Sequence, residues 1–161
     1  GLLLWKLDRK EEAEAFFRML VEASPQDYDS IFNLGRILHE QGHDTDAVFY
    51  LEQFVEARPE DQDAYLLLAR SYSRLELYVK ALEAYDIALS SGSPLPVAWF
   101  EKAEILLTKV MDPDKGLAAL RQALSSGFAD KERLMRFYQN PDLARKQDVE
   151  QILAEKNLFP F

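Results

Sequence analysis

The sequence predicts an all-α fold, a solenoid of stacked helix–turn–helix pairs, on three observations. Alanines recur at Ala13, Ala47 and Ala81, 34 residues apart. Prolines close the periods at Pro25, Pro59 and Pro94, spaced 34 and 35 residues. Each period carries two apolar stripes with the i, i+3, i+4, i+7 spacing of a helix face. A period of this length is one supersecondary unit that cannot bury its apolar face alone, so neighbouring units must stack.

The first period is incomplete. Gly1-Leu2-Leu3-Leu4-Trp5 reads as the end of a helix that starts before residue 1. It is not the apolar stretch of a secretion signal, because Lys6, Asp8 and Arg9 follow too soon. The second period places Ile31, Leu34, Gly35 and Leu38 on one helix face. Gln41-Gly42-His43 breaks that helix, since glycine suits a helix C-terminus. Ala47, Leu51 and Phe54 form the second stripe, and Arg58-Pro59 ends it. The third period repeats the pattern with Tyr65, Leu68, Ala69 and Tyr72, then Ala81, Tyr85 and Ala88. A fourth emerges by matching Lys80–Gly92 to Lys115–Gly127, with Gly116 in the place of Ala81. It contributes Trp99, Ala103 and Leu106, then Leu120 and Ala123, around a longer turn at Val110–Asp114. Small residues at Gly35, Ala69 and Ala103 are expected to face Ala47, Ala81 and Gly116, letting paired helices approach closely.

A helix from Asp130 to Gln139 follows, with Leu134, Phe137 and Tyr138 on one face; Asn140-Pro141 stops it. A last helix from about Gln147 to Lys156 carries Val149, Ile152 and Leu153. This pair is read as the polar-faced cap a solenoid requires. The apolar tail Leu158–Phe161 either folds back on the cap or docks elsewhere.

Composition excludes several functions. The net charge of −9 argues against non-specific nucleic-acid binding. With no cysteine there is no disulfide, thiolate nucleophile or cysteine zinc site. No apolar run reaches membrane-spanning length. His39 and His43, the two histidines, have a zinc-compatible spacing only on a continuous helix, and Gly42 interrupts it. No serine has a nearby base and no glycine-rich phosphate loop exists, so the chain reads as non-catalytic, without metal or cofactor.

Ile31, Leu34-Gly35, Leu38, Ala47, Leu51, Phe54 and Pro59, and their third-period equivalents, resemble the tetratricopeptide repeat (TPR) family. The resemblance covers about residues 1–127 and departs at Phe54 and Lys102, where small and leucine residues are usual. It implies a right-handed α-α superhelix and a single domain over 1–161. The repeats are set at 1–27 (truncated), 28–61, 62–95 and 96–129, with a cap at 130–161. The repeat style is read as bacterial; the compartment is not legible.

The family also implies that first helices line a concave groove. That face then carries Phe32, Asn33, Arg36, Leu66, Arg70, Arg74, Phe100 and Glu104 as candidate ligand-binding residues. Phe32, Leu66 and Phe100 form an apolar column at 34-residue spacing, with Arg36 and Arg70 beside it. Arg74 lies a turn further, and Lys6 is its counterpart in the first repeat. Two alternatives stay open. The apolar column packs against neighbouring repeats, or the arginines pair with Asp29, Asp63 or Glu104. Trp5, Tyr65, Tyr72, Tyr85 and Trp99 are read as core. The two-carboxylate clamp of chaperone-binding relatives is rejected: Asn33 matches one clamp position, but Leu66 and Leu67 occupy places that need cations.

The expected function is a protein-interaction scaffold holding a peptide or protein segment, acidic with apolar anchors. The alternatives are an assembly module that self-associates, as a weak homodimer, through its N-terminal edge or tail, and a regulatory fragment of a larger protein.

Overall fold

The computed structural model describes Trp5, residues 9–90 and residues 92–158. Leu2–Leu4, Lys6 and Phe159–Phe161, on which the readings of the N-terminal edge and the tail depend, lie outside the described residues. The fold is all-α: α1 (Lys10–Ala23), α2 (Tyr28–Gln41), α3 (Asp44–Ala57), α4 (Gln62–Arg74), α5 (Tyr78–Leu89), α6 (Pro96–Thr108), α7 (Pro113–Ser125), α8 (Lys131–Tyr138) and α9 (Lys146–Glu155). Where the sequence reading takes 1–161 as one domain, the helices cluster into two compact units, Gly1–Ala88 and Leu89–Phe161.

Helix starts follow from side-chain caps. Asp27 accepts from the Ser30 amide at 3.2 Å, and Asp61 from the Ala64 amide at 2.9 Å. These aspartates stand 34 residues apart, each two residues after a period proline, so the cap repeats with the fold. Asp112 and Asp130 do the same for α7 and α8.

Helix ends follow from a left-handed residue at the turn inside each pair. Gly42 has φ +82°, and the His43 amide reaches back to the Leu38 carbonyl at 2.8 Å. The equivalent positions are Glu76 (φ +60°) and Met111 (φ +59°). Glycine adopts this conformation freely and the other two do not.

In the first unit α2 packs against α1, α3 and α4, and α3 against α4. Gly35 makes the α2–α3 approach possible: a Cβ there would stand 2.8 Å from Leu51 Cγ. Phe54, the family departure, is buried and packs with Ile31 and Ala64 beneath Val21 and Tyr28. In the second unit α6 packs tightly on α7, and α9 on α7 and α8. The nearest atoms to a Cβ at Gly116 belong to Leu107 and Leu106, not to Ala103 as the repeat pattern suggests. Of the aromatics read as core, Tyr72 and Tyr85 are buried, while Trp5, Tyr65 and Trp99 are half-buried.

Candidate functional site

In the first unit the candidate residues come from α2 and α4, which touch each other. Phe32 is half-buried, its ring 4.9 Å from that of Phe54. Part of it therefore serves the core, as one alternative anticipated, and the rest stays accessible. Arg36 is one turn further along α2. Its guanidinium lies 5.9 Å from the Phe32 ring centroid and 5.8 Å from that of Trp5. Aromatic faces attract a cation electrostatically, so the two rings hold the group in place. Its Nη2 donates to Asn33 Oδ1 at 2.9 Å, and Asn33 Nδ2 donates to the Asp29 carbonyl at 2.7 Å. Arg36 Nε is enclosed and has no hydrogen-bond partner. Among the described residues no carboxylate pairs with Arg36. The anticipated alternative partner, Asp29, instead meets Arg58 at 3.1 Å.

Leu66 is 9% exposed and offers only an edge. Arg74 is committed within the protein. Its Nη2 donates to the His39 carbonyl at 2.9 Å, and its Nε lies 3.3 Å from Asp44 Oδ1. His39 Nδ1 is 2.8 Å from Ser71 Oγ and 3.3 Å from the same Asp44 oxygen. This cluster ties the end of α2 to the end of α4. Burial holds the His39 pKa below its ordinary value. The Arg74 charge adds to the lowering, Asp44 opposes it, and Arg70 is close enough to lower it further. The cluster does not form a nucleophilic site, because serine and aspartate both approach the same ring nitrogen and Ser71 is fully buried.

The second unit gives a correction. Phe100 is 0% exposed: it stacks on Phe128 at 4.2 Å and meets Phe137 edge-on at 5.4 Å. Phe128, in the turn after α7, and Phe137 of α8 fill the space a ligand anchor would need, so Phe100 is core. Glu104 is engaged with Arg133, 3.4 Å away, in a cleft of about 300 Å³ with Arg136, Phe137 and Asn140. Burial raises its pKa despite Arg133, with Glu101 adding to the rise.

Sequence reasoning thus brings together Phe32, Asn33 and Arg36, and misses two things. Trp5, read as core, also flanks Arg36. The His39–Asp44–Ser71–Arg74 cluster carries no periodic signal, because its members occupy non-equivalent places in their repeats.

Among the described residues no helix is long and apolar enough to cross a membrane. Tetratricopeptide repeat models match residues 32–96 and 1–27, together more than half of the chain. Anaphase-promoting complex subunit 3 of Schizosaccharomyces pombe is 28% identical over 112 residues, 70% of this chain and 17% of that protein. The chain thus spans about a sixth of that curated relative. A MamA crystal structure is similar with a TM-score of 0.77 at 17% identity, covering 96% of this chain and 83% of that one. MamA from Desulfovibrio magneticus RS-1 gives 0.73 at 21% identity, covering 78% and 71%. A thermophilic TPR protein of Thermus thermophilus gives 0.59 at 19%, covering 99% and 96%. The chain belongs to the tetratricopeptide repeat family, whose members generally serve as protein-interaction scaffolds.

Proposed function

We propose that this chain is a non-catalytic scaffold whose first unit grips an acidic protein segment on the α2–α4 face. One observation carries the reading: the Arg36 guanidinium, framed by Trp5 and Phe32 and oriented by Asn33, lacks a carboxylate partner among the described residues. A planar guanidinium already held in orientation loses little freedom on binding, and it can grip a carboxylate through two hydrogen bonds. The accessible part of Phe32 supplies an apolar contact beside it. Arg70, one repeat on, adds positive potential to the same face. Arg74 contributes less, because Asp44 and His39 already engage it, and Phe100 contributes no surface. The relative from fission yeast is by name a subunit of a complex, which fits a scaffold.

The test uses a fluorescein-labelled peptide of aspartates and glutamates flanking a leucine. Fluorescence anisotropy should show binding to the wild type, weakened about tenfold or more by Arg36→Glu. Lys131→Glu, an equal charge change in the second unit, should leave affinity unchanged. Equal affinity for wild type and Arg36→Glu, with both folded by circular dichroism, would overturn the reading.

A further inference from the structure

The opposite surface of the first unit has a different chemistry. A cleft of about 190 Å³ lies over α3, α4 and α5. Val55, Tyr65, Leu68 and Ala84 give it an apolar lining, and Ile87 is 46% exposed at its edge. Its polar lining residues are Glu52, Lys80 and Glu83. Lys80 is exposed, with its Nζ 3.7 Å from Glu52 and 5.2 Å from the Tyr72 ring centroid. Tyr72 donates its hydroxyl proton to Glu52, and burial with that carboxylate raises its pKa. The cation lining the cleft is thus paired with one of its carboxylates, and Glu83 adds a further negative charge.

Beyond the cleft, both helices extend the same pattern. Along α3, Phe49, Glu52 and Glu56 follow at helical spacing; along α5, Val79, Glu83 and Ile87 do. Phe49 is 60% and Val79 67% exposed, and Glu56, Glu83 and Asp86 are exposed too. An apolar trough with carboxylates along both sides is complementary to an amphipathic helix that has apolar anchors and a cationic flank. It repels an acidic segment of the kind proposed for the α2–α4 face.

We infer that the outer trough between α3 and α5 is a second docking surface, for a basic amphipathic helix of a partner protein that seats one leucine-sized side chain in the cleft. Charge complementarity selects this occupant. Glu56 on α3 and Glu83 on α5 are exposed where lysines flanking the anchor would lie. This surface is independent of the α2–α4 proposal, and the same protein can lose either function alone.

The probe is a fluorescein-labelled amphipathic helical peptide of leucine and lysine, compared with the same peptide bearing glutamate for lysine. The wild type should bind the lysine peptide, and Arg36→Glu, in which the α2–α4 face is removed, should not bind the glutamate one. Glu83→Lys/Ile87→Ser should weaken binding about tenfold or more, and Glu83→Lys alone by a smaller factor. Asp142→Lys matches the charge change on an exposed position of the second unit and should leave affinity unchanged. Arg36→Glu should also retain the peptide, separating this surface from the other. Equal weakening by Asp142→Lys would reduce the binding to net charge and overturn the inference. So would failure of the wild type to bind, or unchanged affinity in both trough variants.

Discussion

Gly116→Ala adds one methyl group where α7 leans on α6. That Cβ would lie 2.5 Å from Leu107 Cγ, 2.9 Å from its Cδ2 and 3.2 Å from Leu106 Cβ. Carbon atoms rest at roughly 3.5–4.0 Å, so Leu107 must retreat by about 1 Å. It has little room to do so, being fully buried, and the contact falls on its branch point and not only on a mobile tip. Its own carbonyl also holds the Ala144 amide at 2.9 Å, so moving the backbone disturbs the approach to α9. Overpacking of this kind costs about 1–3 kcal/mol. Alanine returns about 1 kcal/mol through its higher helix propensity. With the clash on the Leu107 branch point, the upper part of the overpacking range applies, about 2–3 kcal/mol, and the expected net loss is about 1–2 kcal/mol in the second unit. Urea unfolding can be followed there through Trp99 once Trp5, the only other tryptophan, is replaced by phenylalanine. A Leu107→Ala background sharpens the comparison. There the space is vacated, and Gly116→Ala should become neutral or stabilising by up to about 1 kcal/mol. The same cost in both backgrounds, or no cost in the first, would refute the close-approach argument.

Two further outcomes follow from the turns and the buried histidine. Gly42, Glu76 and Met111 hold the same left-handed place in successive repeats. The left-handed penalty of ~1–2 kcal/mol, less the entropy cost of glycine, leaves Glu76→Gly and Met111→Gly each stabilising by about 0.5–1 kcal/mol. Gly42→Ala should destabilise although nothing lies within 4 Å of its Cβ; thermal melts of the three variants check both signs. His39 has a folded pKa below its unfolded value, so the native state binds fewer protons once pH falls below about 6.5. The neutral imidazole's contribution is present above that value and is lost as pH falls toward the folded pKa. His39→Gln should therefore flatten the decline in melting temperature between about pH 7 and 5; parallel declines in variant and wild type would contradict this.

The helices and their order were legible because burial repeats with the period. Ala13, Ala47 and Ala81 are all fully buried, and an array of identical units must use equivalent positions alike. The Asp27 and Asp61 caps could have been found by the same rule, since they too stand one period apart. The candidate site was legible only in part. Periodicity placed Phe32, Leu66 and Phe100 in one column, but it says nothing about what lies beyond the repeats. Phe128, just past the last matched residue Gly127, and Phe137 of α8 enclose Phe100, whereas Phe32 is only half-buried.

Charge was harder still to read. The sequence determined that arginines recur on first helices at Arg36 and Arg70, with Arg74 near them. Which arginine is left for a ligand depends on the partners that three-dimensional packing supplies. Asp44 reaches Arg74 across a turn, Arg58 draws off Asp29, and Trp5 closes over Arg36. Backbone periodicity is written in local spacing, whereas ion pairs and ring contacts form over a few ångströms between residues distant in sequence. The sequence by itself therefore determined the repeat, its stripes and its turns. The tertiary structure alone decided which side chains on those stripes were spent on the fold and which remained available.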